Sequence, residues 1–301
     1  MSYLFGPVLS RRLGLSMGVD LLKYKTCNLD CIYCELGRTF CLTHCRGRFV
    51  PPGKVLREIR ARRNDAFDHL TFAGSGEPTL SSDLGEIVRA AKEMVNVPVA
   101  VITNSTLLTS PAVRRELAAA DVVLPSLDAA TAKTFQRINR PAQDLQIDAI
   151  IDGLKALRNE FSGEIWLEVM LVKGVNEEEA ELIARAAEST CPDRIQLNTV
   201  VRPPAEPVLP LRENEMQEML KIFPGAELIP DWDWSVPEKI KLQLQDLLSE
   251  RPCTFEGIAT ILGLECSDAI KYCKIMERDG LIQRKMQKGK LCFFADKDEL
   301  A

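Results

Sequence analysis

The chain has 301 residues, 46% of them hydrophobic and 27% charged, with a net charge of −5. That is enough for a large domain plus a small one. It gives no global basic field of the kind that draws in nucleic acid, and two histidines exclude chemistry built on several, such as a three-histidine zinc site.

No apolar run approaches the roughly 18 residues of a membrane span, so no membrane contact is expected. The opening "MSYLFGPVLSRRLG" has too short an apolar stretch for a signal peptide, and its arginines lie on the wrong side of it. The expected location is the cytosol, where thiols stay reduced. Ten cysteines there do not read as a disulfide framework.

Short runs rich in Val, Ile and Leu recur at 17–22, 69–73, 97–103, 121–127, 165–172 and 194–201. Near-continuous apolar runs predict strands buried on both faces. Amphipathic stretches at 52–63, 82–95, 110–120, 144–161 and 176–190 alternate with them. Ser or Thr shortly before two of these, and Pro111 early in one, are helix-start signals. The alternation predicts an α/β fold with a parallel sheet, in six repeats: a partial (β/α)6 barrel.

Proline-rich segments at 201–210 and 228–237 interrupt this pattern, with a helical stretch at 212–223 between them. After Pro237 the pattern is helix, a second helix capped by Thr254, and a third capped by Ser267 and closed by Gly280. Two short strands around Gly289 follow. The expected division is therefore a barrel domain over 1–236 and a small winged helix-turn-helix domain over 237–301. The latter holds 11 basic and 11 acidic residues, so the whole acidic excess lies in the barrel.

The stretch "KTCNLDCIYCELG" follows the first predicted strand and carries Cys27, Cys31 and Cys34. Ligands and catalytic groups of parallel α/β folds gather at that end of the strands. Three thiolates from one loop suit three irons of a [4Fe–4S] cube, leaving the fourth iron open. A structural zinc site is the plainer alternative, although such sites usually supply four ligands.

This spacing, with Tyr33 before the last cysteine, resembles the radical S-adenosylmethionine (SAM) superfamily. The resemblance implies that SAM chelates the open iron. It implies that one electron from the cluster cleaves SAM to a 5′-deoxyadenosyl radical, which removes hydrogen from a substrate. It also implies an external electron donor of the flavodoxin or ferredoxin type. "AGSGEPTL" after the second strand is similar to the family's glycine–glutamate motif. Gly74, Gly76, Glu77 and Pro78 are the expected SAM contacts there.

Asn104 ends strand three, and Ser126 and Asp128 end strand four; in the family, groups at these places contact the SAM ribose or carboxylate. Each also has a plainer reading as a cap or turn former. Glu168 lies inside strand five, where an unpaired carboxylate is costly, so it is expected to face the lumen. Asn198 and Arg202 end strand six. Arg202 suits a carboxylate or phosphate partner, or pins the following loop.

With "YLFGPVLSRRLGLSMGVDLL", "GRT" and "NTVVRPPAEP", the likeness narrows to Fe–S oxidoreductases related to the wyosine-type tRNA synthases, over residues 3 to about 230. That implies a tRNA base as one candidate substrate. The second upstream cysteine cluster and the pyruvate-linked lysine of the wyosine enzymes have no match here. A protein-modifying activase, or a regulator that senses SAM or redox state and binds DNA, are the rival functions.

Two features stay open. "CLTHC" places Cys41, His44 and Cys45 near the triplet, as ligands of a second cluster, a redox pair or incidental thiols. Lys271, Lys274, Arg278, Arg284, Lys285, Lys288 and Lys290 make a basic patch on the winged helix, for nucleic acid or for docking. Cys253, Cys266, Cys273 and Cys292 are expected to be small core residues.

Overall fold

The computed structural model describes residues 2–142, 144–229, 236–264, 269, 272–273, 275–277, 279–287 and 290–295. Its contacts divide it into two compact units, 1–231 and 232–301.

The first unit opens with the strands β1 (Leu4–Ser10) and β2 (Gly14–Val19), then the two-residue strands β3 (Thr26–Cys27) and β4 (Cys41–Leu42). Next come α1 (Pro52–Arg62), β5 (His69–Phe72), α2 (Leu84–Met94), β6 (Val99–Thr103), α3 (Pro111–Leu117), β7 (Val122–Pro125), α4 (Ala132–Ile138) and α5 (Ile147–Glu160). It ends with β8 (Glu164–Lys173), α6 (Ala180–Ser189), β9 (Arg194–Thr199), β10 (Leu209–Pro210), α7 (Glu213–Ile222) and β11 (Glu227–Leu228). The strand order is β1-β2-β5-β6-β7-β8-β9-β11, with β10 on β8. β2, β5, β6, β7, β8 and β9 run parallel in chain order, so the six expected strands form one mostly parallel sheet.

Alternate residues of each strand serve two faces. Val99 and Val101 of β6 and Val123 of β7 join the large core with Ile87, Val113, Leu154 and Ile183 of the helices. Ala100, Val122, Leu124 and Trp166 turn the other way and, with Leu13, close a small apolar cluster inside the sheet's curve. Chemistry is thereby left to the C-terminal ends of the strands. Helix α5 buries Ile147, Ile150, Ile151, Leu154 and Leu157, the three-and-four spacing that predicted it.

The sequence reading missed several elements. β1 pairs antiparallel with β2. The seven-residue α4 is capped by Thr131 Oγ1 accepting from Thr134 N at 3.3 Å. β3 and β4 are too short for any periodicity to reveal. Pro111 starts α3 as expected, but Ser110 before it makes no side-chain cap bond.

The second unit holds α8 (Glu238–Glu250), α9 (Phe255–Leu262) and the antiparallel pair β12 (Gln283–Gln287) and β13 (Lys290–Phe294). Described residues between 269 and 277 are helical. Thr254 caps α9, accepting from Gly257 N at 3.2 Å. Leu244, Leu248, Ile258, Met276 and Phe293 build a core of the unit's own. Cys253, Cys273 and Cys292 are buried as expected. Arg284 pairs with Glu277 at 3.0 Å, and the Lys285 ammonium lies 4.4 Å from the centre of the Phe294 ring. Cys266, Ser267, Lys271, Lys274, Arg278, Lys288 and Gly289 lie outside the described residues. Among the described residues, no helix is long and apolar enough to cross a membrane.

Candidate metal and cofactor site

The cysteine loop runs from the end of β2 towards α1. It is tied to the loop after α4 by Asp30 N to Asn139 O (2.9 Å) and Ile32 N to Ile138 O (3.0 Å). Cys27, Cys31 and Cys34 are half-buried. Each sulfur faces a nitrogen donor. Cys27 Sγ accepts from Leu29 N at 3.4 Å and Asn104 Nδ2 at 3.6 Å. Cys31 Sγ accepts from Asn139 Nδ2 at 3.4 Å, and Cys34 Sγ from Lys25 Nζ at 2.8 Å.

Burial, then the charge of Glu77, pushes the Cys27 thiol up to about 12. Burial, then the charge of Asp128, holds Cys31 well above the usual thiol range. Lys25 is raised: burial alone would lower it, but the charge and hydrogen bond of Cys34, with the charges of Cys27 and Cys31, outweigh that. Half-buried thiols that repel one another, with an ammonium held against Cys34, suit a cation that takes their protons.

Among the described residues, no three His, Cys, Asp or Glu side chains are placed to hold a single ion. Three thiols from one loop, with N–H or ammonium groups aimed at their sulfurs, fit a [4Fe–4S] group with one open iron, whereas a structural zinc usually takes four ligands.

The glycine–glutamate loop lies beside this site. Gly76 pairs with Thr26 as an isolated bridge, and a Cβ on Gly76 would sit 1.7 Å from Thr26 O. At Gly74, with φ +128°, a Cβ would sit 2.6 Å from Asp20 Cγ. An added Cβ at either glycine would meet the chain's own atoms, a constraint that stands beside the ligand approach expected from the sequence. Glu77 is 3% exposed. Its Oε1 accepts from Thr79 N (3.1 Å), Thr79 Oγ1 (2.6 Å) and Thr103 Oγ1 (2.7 Å), and its Oε2 from Asn104 N (2.7 Å). The carboxylate clamps β5 to β6. Pro78 is buried and opens a short 3-10 turn, Pro78–Leu80. Asp20, which the sequence reading passed over, accepts from Ser75 N at 2.9 Å and from the Ser75 hydroxyl.

Asn104, Ser126 and Asp128 line one small cavity together with Tyr33 and Asn139. Asn104 Nδ2 donates to Asn28 Oδ1 at 2.7 Å as well as to Cys27. Asp128 Oδ2 accepts from the Tyr33 hydroxyl and from Asn139 Nδ2 (2.8 Å), and its Oδ1 from Met170 N (3.0 Å). Burial raises Asp128 to about 6 against those donors. Asn139 therefore bridges Asp128 and the Cys31 sulfur.

Glu168 follows Trp166 by two residues on β8 and shares its lumen face. Its Oε2 meets Arg12 Nη1 at 2.6 Å and its Oε1 accepts from Asn198 Nδ2 at 2.7 Å. Asn198 Oδ1 accepts from Arg11 Nη2 at 3.1 Å. The β1–β2 turn thus reaches across the sheet with two arginines, both absent from the sequence-based candidates. Glu168→Ala is expected to cost about 3 kcal/mol, because it strands the Arg12 guanidinium in a buried place. Denaturant unfolding measures this, and Arg12→Met in the same chain is expected to recover part of the loss. Arg202 meets Glu35 of the cysteine loop and so pins the segment after β9 to it.

Cys41 and Cys45 are exposed. Cys41 pairs with Thr26 through the backbone, next to Cys27 but on the loop's outer side.

A sequence profile described as the radical SAM superfamily matches residues 21–187. A radical SAM methyltransferase from Sphaerobacter thermophilus shares the fold, with a TM-score of 0.53 and 18% identity over 71% of this chain and 66% of that one. A Methanocaldococcus jannaschii protein named UPF0026 protein MJ1312 is 35% identical over 230 residues, 74% of this chain and 71% of that protein. The chain therefore belongs to the radical SAM superfamily of enzymes, and within it to the UPF0026 proteins. The cofactors of that superfamily are a [4Fe–4S] cluster and SAM, which it cleaves. A Brachyspira hyodysenteriae protein named GTPase Obg is 34% identical over 302 residues. The match takes in 96% of this chain but only 44% of that protein's length.

Proposed function

We propose that Cys27, Cys31 and Cys34 hold the three ligated irons of the cluster, and that SAM lies across the adjoining strand ends. The observation that supports this most is that three half-buried thiols of one loop each face an N–H or ammonium donor. When bound, the cluster and SAM would supply the one-electron cleavage chemistry that removes hydrogen from a substrate.

The chain's residues supply binding and orientation. Lys25 balances thiolate charge at Cys34. The 74–76 backbone presents polar groups beside Cys27 while Glu77 holds its loop in place. Asn104, Ser126 and Asp128 offer polar contacts to SAM from their cavity. Glu168 and Asn198, locked by Arg12 and Arg11, shape the lumen where the substrate would lie. Arg202, held by Glu35, keeps the following segment over the cysteine loop.

We read the second unit, 237–301, as a winged helix that docks the substrate or a partner. Because Arg284 and Lys285 are engaged within the unit, a protein surface is favoured over DNA. The substrate is a tRNA base or a protein side chain; the wyosine-type likeness argues for the first, and the acidic balance of residues 1–235 for the second.

The test is anaerobic reconstitution of the full chain with iron and sulfide, then SAM and a strong reductant, following 5′-deoxyadenosine by mass spectrometry with and without bulk tRNA. Formation of the nucleoside supports the reading, and stimulation by tRNA supports the tRNA arm. A loaded protein that binds SAM without cleaving it would sink the catalytic reading. About four irons per chain would make Cys41 and Cys45 bystanders, and about eight would make them ligands.

Lys25→Met is expected to lower the cluster's midpoint potential on the order of 60 mV, a tenfold change for one electron, because the oxidised, more positive cluster loses a neighbouring cation. A redox titration followed by electron paramagnetic resonance measures it.

A further inference from the structure

Asn139 ends α4 and is 3% exposed. Asparagine is common where a helix ends, and its place in the chain needs no further reason. Its side chain has a more particular setting. Nδ2 donates to Cys31 Sγ at 3.4 Å and to Asp128 Oδ2 at 2.8 Å. Asn139, Asp128 and Tyr33 line the same cavity, and the Tyr33 hydroxyl donates to the same Asp128 oxygen.

Those two partners explain the residue type. A thiolate and a carboxylate are both negatively charged acceptors, and each needs a donor of its own. An amide nitrogen carries two hydrogens on one atom. An ionised carboxylate in its place would offer none, and a hydroxyl only one.

Main-chain bonds hold the amide in position. Residues 138–142 run along the cysteine loop as a strap. Ile32 N donates to Ile138 O at 3.0 Å, Asp30 N to Asn139 O at 2.9 Å and Ala142 N to Asn28 O at 2.9 Å. Leu29 and Pro141 form an isolated bridge. Arg140, next after Asn139, has φ +44°. A non-glycine residue in the left-handed region is strained, and such strain persists only where the surroundings over-determine it. The Arg140 side chain meets Glu206 at 2.9 Å, and Glu206 N donates to Ile32 O at 2.9 Å. The strap therefore sets the place of Asn139 beside Cys31 without help from the Asn139 side chain, which is left for the sulfur and the carboxylate.

We propose that Asn139 is a positioning residue of the cluster site, whose amide holds the Cys31 sulfur and the Asp128 carboxylate together and whose N–H···S bond favours the reduced cluster. The proposal rests on the iron–sulfur reading of the three cysteines. A reduced cluster carries one more negative charge, so a donor to one of its sulfurs binds it more strongly than the oxidised form. Loss of that donor makes reduction harder. It also takes from Asp128 one of its two side-chain donors, which loosens a group of the cavity where SAM is placed.

The test compares the full chain, reconstituted with iron and sulfide, with its Asn139→Leu and Asn139→Gln variants. Leucine has nearly the shape of asparagine and no donor; glutamine keeps both hydrogens on one nitrogen. A redox titration followed by electron paramagnetic resonance, without SAM, reads the potential. Asn139→Leu is expected to shift the reduction equilibrium about threefold towards the oxidised cluster, roughly 30 mV for one electron. Asn139→Gln is expected to recover at least part of that shift. Equilibrium dialysis of SAM against the oxidised chain is expected to show about threefold weaker binding in Asn139→Leu. Far-ultraviolet circular dichroism is expected to match the wild type, because the strap's backbone bonds remain. Should the leucine chain fail to fold, Asn139→Ser takes its place with the same expectation, since its short hydroxyl cannot reach both partners.

An unchanged potential in a folded, loaded variant without the amide would overturn the proposal and leave Asn139 as a helix end only. Equal shifts in Asn139→Leu and Asn139→Gln would also overturn it, by tracing the effect to packing. A wild type that takes up no cluster would overturn the functional reading and this proposal with it, an outcome distinct from a loaded wild type whose potential the substitution does not move.

Discussion

Cys31→Ala is expected to give a folded chain that holds less iron and forms no detectable 5′-deoxyadenosine. Cys31 lies between the other two thiols in the loop, and its charge is coupled to both. Its sulfur meets Asn139, which in turn holds Asp128, so one substitution removes a ligand and leaves the Asn139 amide without its sulfur acceptor. The loop itself is held by backbone bonds from Asp30 and Ile32 to Asn139 and Ile138, which the substitution leaves in place. The fold should therefore survive while the metal site fails. Two thiolates cannot complete the three-cysteine set that a site-open cube needs. Iron and sulfide analysis, a thermal melt and mass spectrometry of the nucleoside together check this. Wild-type iron content with full SAM cleavage would remove Cys31 from the ligand set.

Gly76→Ala is expected to destabilise the first unit strongly. The added methyl would fall 1.7 Å from Thr26 O and 2.7 Å from Thr26 C, backbone atoms that cannot swing aside. The same carbonyl accepts from Glu77 N at 3.1 Å, and Thr26 precedes the first cysteine. Relief of the clash must separate the glycine loop from β3, breaking that bond and disturbing the buried Glu77 clamp. Overpacking a tight site costs about 1–3 kcal/mol and occasionally more; with backbone on both sides the upper end applies. The first unit's melting temperature is then expected to fall by roughly 6–12 °C. Gly174→Ala is the control. Its φ is +69° and nothing lies within 4 Å of the added Cβ, so only backbone strain of about 1–2 kcal/mol is expected. Equal losses at the two positions would mean that the Thr26 contact is not the cause.

The order of the sheet was legible because its physics is local. A strand buried on both faces must be apolar throughout, so β5 to β9 appear as Val-, Ile- and Leu-rich runs. The cysteine spacing and the Gly-Ser-Gly-Glu-Pro stretch were legible for a related reason. They fall directly after strands, where a parallel sheet gathers its chemistry. The sequence by itself thus determined the class of fold and which loops hold the reactive groups.

Partners across the sheet were not legible. Asn139 meets Cys31 from 108 residues away, Arg12 meets Glu168 from 156 and Arg202 meets Glu35 from 167. Periodicity reports which face a residue lies on, but not which distant residue shares it. Only the tertiary structure decided that Glu77 accepts from Thr79, Thr103 and Asn104, that Gly76 packs against the Thr26 carbonyl, and that Lys25 turns inward to a sulfur while Phe40 beside it turns out. Each follows from how close two backbones come once the strands are side by side, a distance that no local pattern of residues encodes.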